Sequence, residues 1–328
     1  LQYSTTEGYE PLREFVSKRY ADKGINISPD EILITNGSQQ GLDLMAKSVL
    51  NEGENVIIER PGYLGAIQSL SIYKANFKTV ELENDGPCIA DVKKAIESNP
   101  KLFYAVPNFQ NPSGITWSDS KRREVADVLA PSKTVLIEDD PYGELRFIGK
   151  PQESMKKYLE KNTVLLGSFS KIFAPSFRLG WIAAPKSIFE KVIVAKQAAD
   201  LHTNYFSQRV LFDYLSNNDI DKHIATILAV YRKQREAMVN AIKKYFPEEV
   251  EFTEPEGGMF LWVKLPRHIN SLELFDIAIK DKVAFVPGDP FYPSNPDKFT
   301  MRLNFSCVDE ATITEGIERL AGAIKSVI

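Results

Sequence analysis

The feature that most constrains this chain is a series of short, almost uninterrupted apolar runs. They are "EILIT" (31–35), "NVIIE" (55–59), "FKTVEL" (77–82), "LFYAV" (102–106), "TVLIE" (134–138), "TVLLGSF" (163–169) and "LGWIAA" (179–184). A strand with one wet face alternates apolar and polar residues; a strand covered on both faces does not. Between the runs lie segments of helical period. Leu42, Met45, Ala46, Val49 and Leu50 recur at helical spacing, and "SDSKRREVADVLA" (118–130) is another such segment. Buried strands alternating with helices predict an α/β fold with a mostly parallel sheet sandwiched between helices.

From about residue 186 the pattern changes. Helical segments dominate through "AVYRKQREAMVNAIKKYF" (229–246). Then come "GGMFLWVKL" (257–265), a helix near 272–280, "VAFVPG" (283–288), "TMRLNFS" (300–306) and a last helix near 309–326. This predicts a large domain over 1–220 and a smaller C-terminal α+β domain over 221–328, reached through a long helix.

Composition removes several classes. Lys and Arg number 40 against 44 Asp and Glu, a net charge of -4, which argues against a nucleic-acid binder working through a global positive field. Cys88 and Cys307 are too few for a disulfide scaffold and read as free thiols of a reducing cytoplasm. No apolar stretch approaches the length of a membrane span. His202, His223 and His268 have no ligand-like spacing, so no metal site is expected. The opening "LQYSTTEGYEPLREF" reads as the middle of something, and we expect a further N-terminal segment before it.

In open α/β sheets ligands collect beyond the carboxyl ends of the strands, so polar clusters there matter most. "TNGSQQ" (35–40) puts Gly37, Ser38 and Gln39 at a helix N-terminus, where free N–H groups cradle an anion; a plain serine cap is the alternative. "RPGYLG" (60–65) offers Tyr63 for stacking on a flat ligand, or merely a half-buried tyrosine. "PNFQNPSG" (107–114) holds Asn111 before Pro112, extended and able to aim its amide inward, or a simple turn. "IEDDPYGEL" (137–145) carries Asp139 with Tyr142 three residues on; a carboxylate so placed needs a cationic partner or several donors. "SFSKIFAPSFRLGW" (168–181) surrounds Lys171 with Ser168, Ser170 and Arg178, an amine beside an anion site, where the alternative is a surface lysine. In order along one chain these are complementary parts. Together they fit a flat heteroaromatic aldehyde bearing a phosphate, pyridoxal 5'-phosphate.

On "GSQQ", "NPSG", "DDPY", "SFSK…R" and "MRLNFS" the chain resembles the fold-type I pyridoxal-phosphate aminotransferases of class I/II, over essentially its full length. "AKQAADLHT" (195–203) is similar to the 2-aminoadipate and kynurenine aminotransferase group. The resemblance implies that Lys171 carries the cofactor as a Schiff base and that Asp139 pairs with the pyridine nitrogen. It implies Tyr142 and Asn111 on the ring hydroxyl oxygen, and Tyr63 stacked on the ring. Ser38, Gln39, Ser168, Ser170 and Arg178 would hold the phosphate, and Arg302 the substrate α-carboxylate, alongside Asn111. Tyr3 matches a tyrosine that reaches the neighbouring subunit's cofactor site, which implies a homodimer. The implied activity is amino transfer from 2-aminoadipate, an aromatic or another bulky amino acid to a 2-oxo acid such as 2-oxoglutarate. A pyridoxal-dependent β-lyase or decarboxylase would share every cofactor contact, and some transcription regulators carry an aminotransferase-like effector domain.

Overall fold

The computed structural model describes residues 2–328. Among them, strands β1 (Ile32–Thr35), β2 (Asn55–Arg60), β3 (Asn76–Glu83), β4 (Gly86–Pro87), β5 (Leu102–Ala105), β6 (Val135–Asp139), β7 (Thr163–Ser168) and β8 (Gly180–Ala183) form one sheet. Their spatial order is β1-β8-β7-β6-β5-β2-β3-β4. The centre is parallel: β2 pairs with β3 and β5, β5 with β6, and β6 with β7. β8 runs antiparallel to both β7 and β1, so β1 points the same way as the parallel strands.

The apolar runs are buried for the reason their composition suggests. Successive residues of a strand face opposite sides of the sheet. Val56, Ile58, Tyr104 and Ile137 enter one core with Leu12, Val16, Leu42, Met45, Val192 and Ala195 from the helices on that side. Ile57, Phe103 and Leu136 enter another, against Val92, Trp117, Val125 and Leu129. Each fully buried side chain of this size stabilises the fold by roughly 1.5–3 kcal/mol relative to exposure.

A second sheet follows, of β9 (Glu251–Phe252), β10 (Phe260–Lys264), β11 (Val286–Pro287) and β12 (Thr300–Asn304), ordered β11-β12-β10-β9 and antiparallel throughout. It shares a core with the helices Ser271–Ala278 and Glu310–Lys325. The helix Ile220–Tyr245 joins the two parts: Ile224 lies in the first core, Met238 and Ile242 in the second, and Leu228 and Tyr231 pack against both. A boundary near 220 therefore falls at the start of a helix common to both cores. Among the described residues no helix is long and apolar enough to cross a membrane.

Gly167 is required by packing. It pairs with Trp181 across β7 and β8, and a Cβ on it would lie 2.1 Å from the indole. The indole instead lies against Gly167, with Phe169 4.9 Å away and Nε1 donating to Tyr20. Gly167→Ala is expected to lower stability by about 1–3 kcal/mol through overpacking. Gly316→Ala, in a helix where nothing stands within 4 Å of the new methyl, is expected to raise it by about 0.5–1 kcal/mol. Thermal unfolding of the two variants beside the parent checks both signs.

Candidate active site

Strand direction brings the polar clusters together. β1, β2, β5, β6 and β7 all end at one edge of the sheet, and β8 begins there. The segments that follow or precede those ends line a cavity of about 330 Å³. Its walls hold Ser38, Gln39, Tyr63, Asn111, Asp139 and Tyr142, with Ser168, Ser170, Lys171, Arg178 and Arg302. Every residue expected at the cofactor or substrate is present except Tyr3, which is 79% exposed and lines a separate groove.

One end of the cavity suits an anion. The helix Ser38–Val49 begins after Gly37, whose φ of +79° turns the chain, and no side chain caps its first N–H groups. Uncapped N–H groups and the helix dipole favour negative charge. A Cβ at Gly37 would lie 2.7 Å from an Arg178 nitrogen, so the guanidinium can close over the turn only because residue 37 is glycine. Arg178 itself adopts a left-handed conformation, φ +53°, and approaches the Ser170 hydroxyl at 3.5 Å. Ser168 Oγ accepts from Ser170 N, which leaves its proton free to donate. Gln39 differs from expectation in one respect: its side chain donates to Gly65 O and accepts from the Tyr63 hydroxyl. What Gln39 can offer an anion is its backbone N–H.

The other end suits a cation. Asp139, at the last position of β6, is 3% exposed. Tyr104 donates to its Oδ2 at 2.6 Å, while Oδ1 is buried with no partner. Burial pushes its pKa up to about 7; the Tyr104 hydrogen bond opposes this and Asp140 adds to it. A protonated ring nitrogen is the kind of partner that would complete such a carboxylate.

Between these ends are the amine and a polar chain. Burial, and then the positive charges of Arg178 and Arg302, lower the pKa of Lys171. Asn111 Nδ2 donates to the Tyr142 hydroxyl at 3.5 Å, and Arg302 donates to Asn111 Oδ1 at 2.9 Å. Burial raises the pKa of Tyr142 well above its ordinary value. The Arg302 guanidinium lies over Phe260 (4.2 Å) and near Phe291 (5.3 Å), and its Nε is buried without a partner. Its remaining donors form a fork suited to a carboxylate.

Tyr104 is the site residue that sequence reasoning missed. It sits inside "LFYAV", whose apolar character announces a strand and nothing else. The available signal was that a buried tyrosine hydroxyl needs a partner. Phe260 was likewise read only as part of a strand.

Comparisons with known proteins identify the family. Residues 1–320 match the family model of aminotransferase class I and II. Aromatic-amino-acid aminotransferase 1 of Thermococcus litoralis is 40% identical over 99% of this chain and 80% of its own length. The 2-aminoadipate transaminase of Thermus thermophilus is 36% identical over 100% of this chain and 82% of its own. The crystal structure of Pyrococcus horikoshii kynurenine aminotransferase in complex with PMP superposes with a TM-score of 0.95 at 42% identity, covering 99% of this chain and 82% of that one. The chain belongs to the class I and II aminotransferases, pyridoxal-phosphate-dependent transaminases of fold type I.

Proposed function

We propose that this chain binds pyridoxal 5'-phosphate covalently through Lys171 and moves an amino group from a bulky amino acid to a 2-oxo acid such as 2-oxoglutarate. The observation that carries the proposal is the buried, half-satisfied Asp139 carboxylate sharing one cavity with an anion cradle and a pKa-lowered lysine. The lining fits the cofactor part by part. Arg178, Ser168, Ser170, Ser38 and the N–H of Gln39 would hold its phosphate. Asp139 would face the ring nitrogen, Tyr142 and Asn111 the ring hydroxyl oxygen, and Tyr63 the ring itself. When bound, the cofactor supplies an electrophilic aldehyde and a ring that accepts the electrons of a breaking α-carbon bond.

The protein's own groups do the rest. Arg302, held by Asn111 on one side and by aromatic rings on its faces, grips the substrate α-carboxylate. The substrate's amino group would displace Lys171 from the aldehyde carbon, and the freed Nζ, its pKa lowered by desolvation and two neighbouring guanidiniums, would remove the substrate's α-proton. General base catalysis of this kind contributes typically about 10²–10⁴-fold. The cations lining the cavity are Lys171, Arg178 and Arg302, each already committed. Beside Arg302, Phe260 is the wall given no part in holding the cofactor, and its ring favours an aromatic side chain on the donor over a second carboxylate, as in 2-aminoadipate.

The surface supports a homodimer. Tyr3 (79% exposed), Val194 (64%), Leu201 (48%) and Phe206 (65%) are large apolar residues left in water. Tyr3 and Phe206 share a groove with Tyr9 and Arg209. Such a patch is the usual mark of a protein interface, and it would carry Tyr3 to a neighbour's cleft. The two unpaired cysteines suit the cytoplasm, where we place the enzyme.

Lys171→Ala is expected to abolish both turnover and the visible absorbance that pyridoxal phosphate acquires on binding. Transamination at the parent rate, measured as glutamate formed from 2-oxoglutarate and an aromatic amino acid, would refute the assignment. Asp139→Asn is expected to lose most activity yet to stabilise the cofactor-free protein at pH 8. The sign follows from the raised pKa. The folded state favours the protonated carboxyl, so ionisation opposes folding progressively between the ordinary value of 3.8 and about 7, by on the order of 4 kcal/mol at most. The asparagine removes that penalty, so the difference in melting temperature should be present at pH 8 and vanish near pH 4. No gain at pH 8 would show that Asp139 is not a destabilising charge. In sedimentation equilibrium the parent should run as a dimer, and Phe206→Asp should shift it toward monomer; a parent that is monomeric at all concentrations removes the role given to Tyr3.

A further inference from the structure

Two of the buried ionisable groups outside the cavity, neither used by the chemistry above, hold one loop; burial raises the pKa of Glu59 to about 8. Glu59, near the end of β2, is fully buried. Its Oε1 accepts from Trp117 Nε1 at 2.9 Å, and its Oε2 accepts from Val106 N at 3.1 Å and Gln110 Nε2 at 3.4 Å. Arg122, in the helix Asp119–Leu129, is also fully buried. It donates to Trp117 O, Pro107 O and Asn108 Oδ1 at 2.9–3.0 Å, and to Glu153 O at 2.8 Å. The carboxylate and the guanidinium do not pair with each other. Glu59 spends all its hydrogen bonds, and Arg122 three of its four, on the same segment, 106–117. Glu59 holds that segment at its first residue, its last residue and Gln110. Gln110 in turn accepts from Ser113 N and Oγ, which brackets Asn111 and Pro112.

Buried charges are costly, and apolar replacements are often at least as stable. Two of them aimed at one loop make sense where the position of that loop matters. Asn111 must serve two neighbours at once, Tyr142 through Nδ2 and Arg302 through Oδ1. A small displacement of its backbone would lose both.

We propose that Glu59, through Val106, Gln110 and Trp117, is a positioning residue that pins segment 106–117, which Arg122 also holds, so that the Asn111 amide meets the cofactor's ring oxygen and Arg302 together. This rests on the assignment of Asn111 as a ring ligand. A donor at the ring oxygen favours its ionised form, so the position of Asn111 is reported by the pH midpoint of the visible absorbance of bound pyridoxal phosphate. The experiment measures that midpoint in reconstituted protein, with Asn111→Ala setting the scale. Glu59→Gln and Trp117→Phe, which keeps a ring but deletes the Nε1 donor, are expected to move it in the same direction by at least half as much. Leu320→Ala, which opens a hole in the second core, is expected to lower the melting temperature and leave the midpoint at the parent value. If Glu59→Gln does not fold, Trp117→Phe decides alone. Parent midpoints in both positioning variants, or an equal shift in Leu320→Ala, overturn the proposal. So does an Asn111→Ala midpoint equal to the parent's. A parent protein with no visible band at all would instead overturn the cofactor assignment itself.

Discussion

Asp139 is the constraint on which the site depends. A carboxylate at the end of a central strand, with one oxygen bound to Tyr104 and the other to nothing, is expensive to bury. The expense is tolerable because the large sheet is covered by apolar cores on both faces. It is useful because every other charged wall of the cavity is positive. Lys171, Arg178 and Arg302 stand within range of one another, and the two guanidiniums lower the lysine's pKa as burial does. A ligand with a cation at one end and anions at the other would answer the charges at both ends together.

The parallel part of the sheet could be read in the sequence because strands buried on both faces have nothing to alternate. The clusters at the strand ends could be read for a related reason. Polar residues abruptly following apolar runs stand out, and the topology places them at one edge. What escaped was of two kinds. The antiparallel run of β8 between β1 and β7 depends on pairing across the sheet, which no local pattern encodes. Tyr104 escaped because a polar atom inside an apolar run looks like one more core residue until its partner is known, and Glu59 and Trp117 escaped because each is the other's partner across 58 residues of sequence. The long helix at 220 was recognised, but its place in both cores was not, since one apolar stripe looks the same whichever sheet it packs on.

Gln39 shows how a correct neighbourhood can hide a different contact. The segment "TNGSQQ" does form the turn into a helix at the anion end of the cavity. Its amide side chain, however, ties Tyr63 and Gly65 to that turn. The residue thus links the wall that would stack on a ring to the cradle that would hold a phosphate, and it keeps their separation fixed. Rigid spacing of this kind is what a site needs in order to hold a ligand at both ends without losing binding energy to adjustment.

The part of the cavity around Arg302 is built differently, because its two halves come from different sheets. Arg302 belongs to β12 and Asn111 to the segment after β5, and the hydrogen bond between them crosses the two cores. Nearby contacts cross as well. Gly62 N donates to Phe291 O at 2.8 Å, and Arg60 donates to Asn295 O at 2.5 Å while lying over the Tyr292 ring. Phe291 in turn packs 5.3 Å from the Arg302 guanidinium. The Arg302 fork is therefore aligned with Asn111 only when the two cores are aligned. In the function proposed above, a substrate carboxylate held by Arg302 and approached by Asn111 would add one more bond across that boundary, so that substrate binding and registration of the two halves would reinforce each other.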